Sequence, residues 1–518
     1  MSTKDQAAVI DFLASPSTHG GATVERIDTH TAIVFLAGAR AWKLKRAVRF
    51  DYLDFSTVER RKAMCEAEVR LNHRTAPAVY RGVVAVTRAP DGSLALGGPG
   101  TPVDWLVEMH RFTQEALLDR LAESGRLDLA SMPCLAAVIA RFHLAAERRI
   151  DHGGRAAMGW VIEGNAAGFA EFGADFLEPS ACIRMTDAAS AELDRHGALL
   201  GARREAGFVR QCHGDLHLRN IVMLEGTSTL FDAIEFNDDI ACIDVLYDLA
   251  FLLMDLWRRR LPRHANAVWN GYLAETADVD GVSLLPLFLS CRAAVRAKTS
   301  ATAARVQGNP ERARELRASA RNYLTLAERL LHPAEPCVMA IGGFSGSGKS
   351  TLGLGLAPSV GAVPGAVVLR SDEIRKRLRG VPPLERLGPE GYTPEVSRRV
   401  YATAARHADT IVRAGHSAIV DAVFATPEDR AAIETVAANA SVPFVGLWLD
   451  APAPVLVERT QRRVRDPSDA TADVVRMHLA QDTGVIRWLR IDASAPAEVV
   501  LQEASSCLPA LAAVRQAG

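Results

Sequence analysis

Lysine is scarce in this 518-residue chain: only seven occur (Lys4, Lys43, Lys45, Lys62, Lys298, Lys349 and Lys376), among 60 basic residues. Arginine serves a solvated surface equally well, so each lysine retained draws attention to a compact pocket that needs a point charge. Cysteine is sparse too. The eight are scattered, with no C-x-x-C pair and no zinc-type cluster, which argues against a zinc module or a disulfide scaffold and fits free thiols in a reducing compartment. There is no excess of either charge: 60 Lys and Arg against 61 Asp and Glu leave a net charge of −1. That balance argues against tight binding to a nucleic-acid backbone. No apolar run reaches the length of a membrane span, about 18 residues. The most apolar segment, Val245 to Trp257, is interrupted by Asp248 and Asp255 and reads as a buried helix. The first twenty residues lack the basic start and apolar run of a signal peptide. The expectation is a soluble, cytoplasmic protein with no membrane partner.

What is present supports large cores. Hydrophobic residues make up 48% of the chain and charged residues 23%. At roughly 100–200 residues per domain, two to four folding units are expected. Residues 23–48 read as strands with a Gly38–Ala39 turn, a charged helix follows from Thr57 to about Arg74, and further strands lead to "DWLVEMHRF". Helical periodicity then dominates, interrupted by a loop region that carries "HGDLHLRN" and a predicted strand "STLFDAIEF". "LHPAEP" at 331–336 is the candidate linker. After it, apolar strands alternate with helices, the pattern of a parallel α/β sheet.

Gly343 to Ser350 reads GFSGSGKS and satisfies G-x-x-x-x-G-K-[ST] between a strand and a helix start. Such a loop, here Gly343, Phe344, Ser345, Gly346, Ser347 and Gly348, curls so that several N–H groups face one anion, and the helix beginning near Lys349 and continuing through Thr351 adds its positive end. Lys349 is expected at the β/γ phosphates of ATP and Ser350 on Mg2+. Asp372 lies just past the next strand, with Arg375 one helical turn on. The pair reads either as a proton acceptor and an anion-steadying group or as a plain helix start. Asp421 ends another strand at a position suited to magnesium. Arg459 and Arg463, with Arg462 and Arg465, form either a phosphate lid or a solvated face. This region, 337–518, resembles P-loop kinases of the polynucleotide-kinase-like and gluconate-kinase-like group, in which the element Ser371–Asp372–Arg375 follows the second strand. The resemblance implies a kinase head and leaves a polynucleotide-type kinase as an alternative.

His213 to Asn220 matches H-x-D-x-x-x-x-N, the spacing of a kinase catalytic loop. Asp215 is placed to accept a hydroxyl proton, Asn220 to ligate magnesium and His213 to brace the loop. Twelve residues on, Asp232 is the candidate second metal ligand, with Glu235 its competitor. With Asp248 in "YDLAF", this stretch resembles the aminoglycoside-phosphotransferase-like family. That resemblance implies a two-lobed, α+β protein-kinase-like fold over 1–330, with an N-lobe at about 20–110 and a C-lobe at about 111–330. It also implies a phosphate-contacting lysine, Lys43 or Lys45, a helix glutamate partner, Glu68 or Glu66, and an adenine-facing hinge at Glu108 and Met109. No evident acid cluster awaits a polycationic antibiotic, so the resemblance does not name the acceptor. The combined expectation is an ATP- and Mg2+-dependent phosphotransferase with two nucleotide sites and small hydroxylated substrates. The alternative is that one head only binds ATP and regulates the other.

Overall fold

The structure, a computed structural model, describes residues 6–50, 52–462 and 467–506. These fall into two compact units. One comprises 1–128, 138–162 and 193–255, the other 129–137, 163–192 and 256–518.

The first unit opens on an antiparallel sheet of β1 (Val24–Asp28), β2 (Ala32–Ala37), β3 (Arg40–Lys45), β4 (Tyr80–Arg88), β5 (Leu94–Leu96) and β6 (Thr101–His110), in the spatial order β1-β2-β3-β6-β4-β5. The β2–β3 turn uses Gly38 at φ 57°, a left-handed conformation that costs glycine little. Strand periodicity then sorts β3 into two faces. Trp42 and Leu44 enter a core with Ile33, Phe35, Val86 and Leu106. Ala41, Lys43 and Lys45 take the opposite face. Helix α1 (Val58–Asn72) packs on this sheet; the Thr57 hydroxyl caps it by accepting from the Arg60 N–H. Its buried residues Cys65, Glu68 and Leu71 recur every three positions, so one face carries both apolar contacts and a carboxylate. Beside it Arg61 and Asp104 form a fully buried ion pair at 2.7 Å, shared with the Gln6 amide.

The predicted strand through Phe236 is shorter than expected. It ends at Leu230, paired with Ile221–Leu224 as a hairpin. Asp232 adopts φ 63°, which breaks the extended run.

The second unit contains a five-stranded parallel sheet: β7 (Val338–Gly343), β8 (Val367–Arg370), β9 (Ala418–Asp421), β10 (Phe444–Asp450) and β11 (Leu489–Asp492), in the order β8-β9-β7-β10-β11. The chain reverses its winding at the central β7, so the crevice at that strand's carboxyl end is where ligands bind in such sheets. The helical part of the unit includes α2 (Pro262–Thr276) and the packed pair Leu285–Val306 and Pro310–Leu330. Two further helices flank the phosphate loop, α3 (Lys349–Leu356) and α4 (Ser371–Leu378).

Strand β8 is an edge, and α2 satisfies it with side chains. Asn270 Oδ1 accepts the Val368 N–H at 2.7 Å, while Asn266 and Asn270 both donate to the Ala366 carbonyl at 3.1 Å. The two amides sit one helical turn apart and do what a further strand would do. Replacing Asn270 by Leu strands a partly buried N–H and should cost about 1 kcal/mol or more. A lowered urea midpoint with an unchanged slope is the expected reading; an unchanged midpoint would contradict the role given to the amide.

Candidate active sites

Four separated pieces of the first unit converge. Lys43 Nζ lies 2.8 Å from Glu68 and 2.5 Å from Asp232, a partner 189 positions away. Lys45 Nζ lies 2.5 Å from the other Glu68 oxygen and also binds Glu235. Burial alone would raise the Glu68 carboxyl, but the two ammonium groups hold it well below the usual carboxylate range. Burial likewise disfavours charge on Lys43, and Asp232 and Glu68 override it, so its pKa stands above the ordinary value. The two lysines differ in setting. Lys45 and Glu235 are 2% and 5% exposed and form an inner pair, whereas the Asp232 side chain is 42% exposed. Glu66 points to solvent, 3.7 Å from Lys62.

Asp232 is tied to the loop at 213–220 from both sides. Phe231 N–H donates to the Asn220 carbonyl at 3.0 Å and Ile234 N–H to the His213 carbonyl at 2.9 Å. Holding a non-glycine residue at positive φ costs on the order of 1 kcal/mol, a strain typical of functional positions. Asn220 donates from Nδ2 to both the carboxylate (3.0 Å) and the carbonyl (2.9 Å) of Asp215. His217 lies 3.3 Å from the same carboxylate. His213, kept neutral by burial, bonds the Phe231 carbonyl at 2.9 Å.

The loop hangs from the helix Val245–Arg258. Asp248 accepts the N–H groups of His213 (3.0 Å) and Gly214 (2.9 Å) and lies 3.1 Å from His143; Asp255 accepts from Leu218 at 3.2 Å. The two acids that interrupt the most apolar stretch of the sequence are therefore its anchors for the loop. His143, Cys212 and Asp248 also lie close enough to suggest a metal centre. Both Asp248 oxygens already accept amide protons, and burial keeps the Cys212 thiol protonated, so the trio suits an anchor and not an ion.

Glu108 pairs with Arg40 and Arg81, both at 3.1 Å, and Met109 stands in register with Ala41 and Tyr80. Both belong to β6, next to the lysine strand.

In the second unit the glycine-rich loop leaves β7 with Gly343, Gly346 and Gly348 at φ 134°, 91° and 92°. A Cβ on Gly346 would meet the Leu456 carbonyl at 2.3 Å, and one on Gly343 the Leu449 carbonyl at 2.6 Å. The loop is thus pressed against its own scaffold. Ser347 Oγ is buried with no hydrogen-bond partner among the described residues. Lys349 Nζ donates back to the Phe344 carbonyl at 3.1 Å. Ser350 Oγ is 2.5 Å from Asp421, and Arg370 reaches both, at 3.1 Å from Ser350 and 3.7 Å from Asp421. A hydroxyl and a carboxylate at one loop end, below a curled backbone, fit a phosphate-bound divalent cation. Thr351 continues the helix, and Phe344 stacks on His478 at 6.0 Å.

Asp372 sits where burial, and then the charge of Asp421, push its carboxyl above the ordinary value. Arg375 is nearly buried. It donates to the Gly391 carbonyl at 2.9 Å and stacks over Tyr392 at 4.8 Å. Arg459 donates to the carbonyls of Ala493 (2.6 Å) and Ala495 (3.2 Å). Arg463 and Arg465 lie outside the described residues, and Arg462 pairs with Glu458 at 2.7 Å. Sequence reasoning missed Arg370, although it directly precedes Ser371–Asp372. It also missed Asp469, which gathers Lys376, Tyr392 and the Leu387 N–H at 2.8–3.0 Å.

Comparison with known proteins finds two families along the chain. The phosphotransferase enzyme family matches residues 96–284, and the AAA domain family matches residues 338–483. An uncharacterized protein of Mycobacterium tuberculosis is 33% identical over 485 residues, covering 91% of this chain and 92% of its own. An uncharacterized protein of Mycobacterium bovis matches to the same extent. The adenylyl-sulfate kinase of Myxococcus xanthus is 29% identical over 123 residues, 24% of this chain and 62% of its own. Among solved structures, a gluconokinase from Sinorhizobium meliloti covers 35% of this chain and 97% of its own at 20% identity and TM-score 0.27. An amicoumacin kinase covers 62% and 94% at 13% identity and TM-score 0.39. The chain belongs to the family, shared with the mycobacterial proteins, that joins a phosphotransferase-type kinase domain to a P-loop kinase domain. Two kinase-type domains imply ATP-dependent phosphotransfer.

Asp248→Ala leaves two buried N–H groups unpaired, at about 1–3 kcal/mol each. The loop at 213–220 should lose hydrogen-exchange protection while the segment 343–350 keeps its own. Equal protection of the 213–220 amides in variant and wild type would contradict the anchoring.

Proposed function

We propose that this chain carries two ATP- and magnesium-dependent phosphotransferase heads, residues 1–330 and 337–518 joined at 331–336, each passing the γ-phosphate to a hydroxyl group of a small molecule. The observation that carries the reading is the convergence of Lys43, Glu68 and Asp232 beside a loop in which Asn220 binds Asp215. In the first head Lys43, oriented by Glu68, contacts the ATP phosphates. Asn220 and Asp232 hold the metal, and Asp215 takes the acceptor's proton. Lys45 with Glu235 fixes Glu68 from behind, and the strand around Glu108 and Met109 receives the adenine.

In the second head the Gly343–Thr351 segment cradles the triphosphate and Lys349 spans its end. Ser350 and Asp421 hold the metal, which when bound neutralises charge on the β and γ phosphates. Asp372 accepts the proton of the attacking hydroxyl. Arg375, held by Gly391 and Tyr392, keeps the acceptor side of α4 in place. A cytoplasmic setting is supported by the scattered cysteines of the sequence, which form no C-x-x-C pair.

Asp215→Ala should cut one acceptor-dependent ADP release by about 100- to 10,000-fold, the usual worth of a proton-transferring group. Lys349→Ala should abolish a second release that depends on a different acceptor. A head whose variant leaves all turnover unchanged is a regulatory nucleotide site.

The acid limb of the second activity should lie above the ordinary value of an aspartate. Asp372 works ionised and its pKa is raised, so activity is lost as pH falls through that raised value. Rate–pH profiles of wild type and Asp372→Asn check this: a limb that persists in the variant belongs to another group.

A further inference from the structure

Helix α4 has two faces of different use. Asp372 and Arg375, three residues apart, share the face assigned above to the acceptor. Glu373, Lys376, Arg377 and Gly380 recur at helical spacing on the other. That second face lines a cleft of about 900 Å3. Another wall is α2, which contributes the small residues Ala267, Gly271 and Ala274 at intervals of four and three. The outer side of α3 closes it with Thr351, Leu354 and Gly355. Neither Asp372 nor Arg375 is among the lining residues, so this cleft lies behind the acceptor side of the P-loop head.

Its inner end is basic and buried. The Arg370 side chain is 11% exposed and that of Lys376 is 2% exposed. Lys376, one of the few lysines in the chain, has Asp469 as its one hydrogen-bond partner among the described residues, at 3.0 Å. An ammonium carries three donors, so two remain for an acceptor in the cleft that Lys376 lines. Glu373 sits 2.9 Å from Arg370 and is drawn by Arg377 as well. Towards the rim Arg263 and Arg377 alternate with Glu275 and Glu498, an even balance that suits a polar body of either sign. Counted over the whole lining, four basic side chains face three acidic ones.

The geometry points to an effector site: a small metabolite bearing a phosphate or carboxylate binds in this cleft with its anionic group on Lys376 and Arg370. Arg370 also ties the cleft to the phosphate loop. The same guanidinium that lines the cleft donates to Ser350 at 3.1 Å and faces Asp421 at 3.7 Å. A cation lodged against Ser350 and Asp421 opposes a second cation there. An anion that draws Arg370 into the cleft frees both residues, so the effector strengthens magnesium–nucleotide binding at the loop, and the nucleotide strengthens effector binding by the same factor. This coupling rests on the P-loop reading given above; occupancy of the cleft does not.

Calorimetry on the full chain tests both parts, with glycerol 3-phosphate as the phosphate probe and malate as the carboxylate probe. The first titration uses Lys349→Ala, in which the loop cannot compete for phosphate. Saturable one-site binding of at least one probe is expected, weakened about tenfold or more when Lys376→Met is added. Because Lys376 is buried, Ala267→Leu serves as a second variant that fills the cleft without touching a charge, and the same loss is expected. In the otherwise wild-type chain the bound probe should tighten magnesium–AMP-PNP binding about fivefold or more. Absence of saturable binding by both probes, or binding that both cleft variants leave intact, overturns the site. Probe binding without any tightening of nucleotide overturns the coupling. Failure of the P-loop reading looks different: AMP-PNP then binds no better to wild type than to Lys349→Ala, while the probe still binds the cleft.

Discussion

Carboxylates gathered in one place repel one another, and each half of this chain meets that constraint with a basic side chain. In the first unit Lys43 rests on Asp232 and Glu68; in the second Arg370 rests on Ser350 and faces Asp421. At a separation of about 4 Å a unit charge pair is worth about 4 kcal/mol under the effective screening of a protein surface, enough to set where each acid lies. The surrounding elements serve these contacts. Helix α1 carries Glu68 on its buried face, β3 presents both lysines on one side, and β7 and β9 end side by side so that Ser350 and Asp421 meet.

Placement of the two loops rests on backbone groups and not on side-chain packing alone. Asp248 and Asp255, two helical turns apart, take amide protons from the segment that bears Asp215. The phosphate loop achieves its curl through glycines whose conformations other residues rarely adopt, and at Gly343 and Gly346 a carbonyl leaves no space for a Cβ. Both are ways of presenting polar groups toward an anion or a metal without exposing the rest of the backbone.

Motifs whose spacing is local were legible in the sequence. GFSGSGKS and HGDLHLRN each bring their own neighbours together, and the strand–loop–helix order around them follows from hydrophobic alternation. The parallel sheet and the antiparallel lobe were legible for the same reason. Contacts made by long-range packing were not. Lys43 and Lys45 share a strand face, so periodicity could not rank them; what separates them is the depth at which Glu235 meets one and Asp232 the other. Asp255 was visible only as an interruption of an apolar run, and Asp248 as that and as part of a family pattern; neither announced its bonds to the loop. Arg370 looked like an ordinary strand-end residue, because Ser350 and Asp421 are 20 and 51 positions away along the chain. Arg375 and Arg459 were read by charge, yet their partners are carbonyl oxygens supplied by loops that no motif announces.

The most direct measurement of the central claim is the number of nucleotides one chain holds. Titration of the full chain with AMP-PNP and manganese, followed by equilibrium dialysis and by the electron paramagnetic resonance of free manganese, should give two nucleotides and at least two metal ions per chain. A stoichiometry of one would leave a single head, and none would contradict the account in both halves.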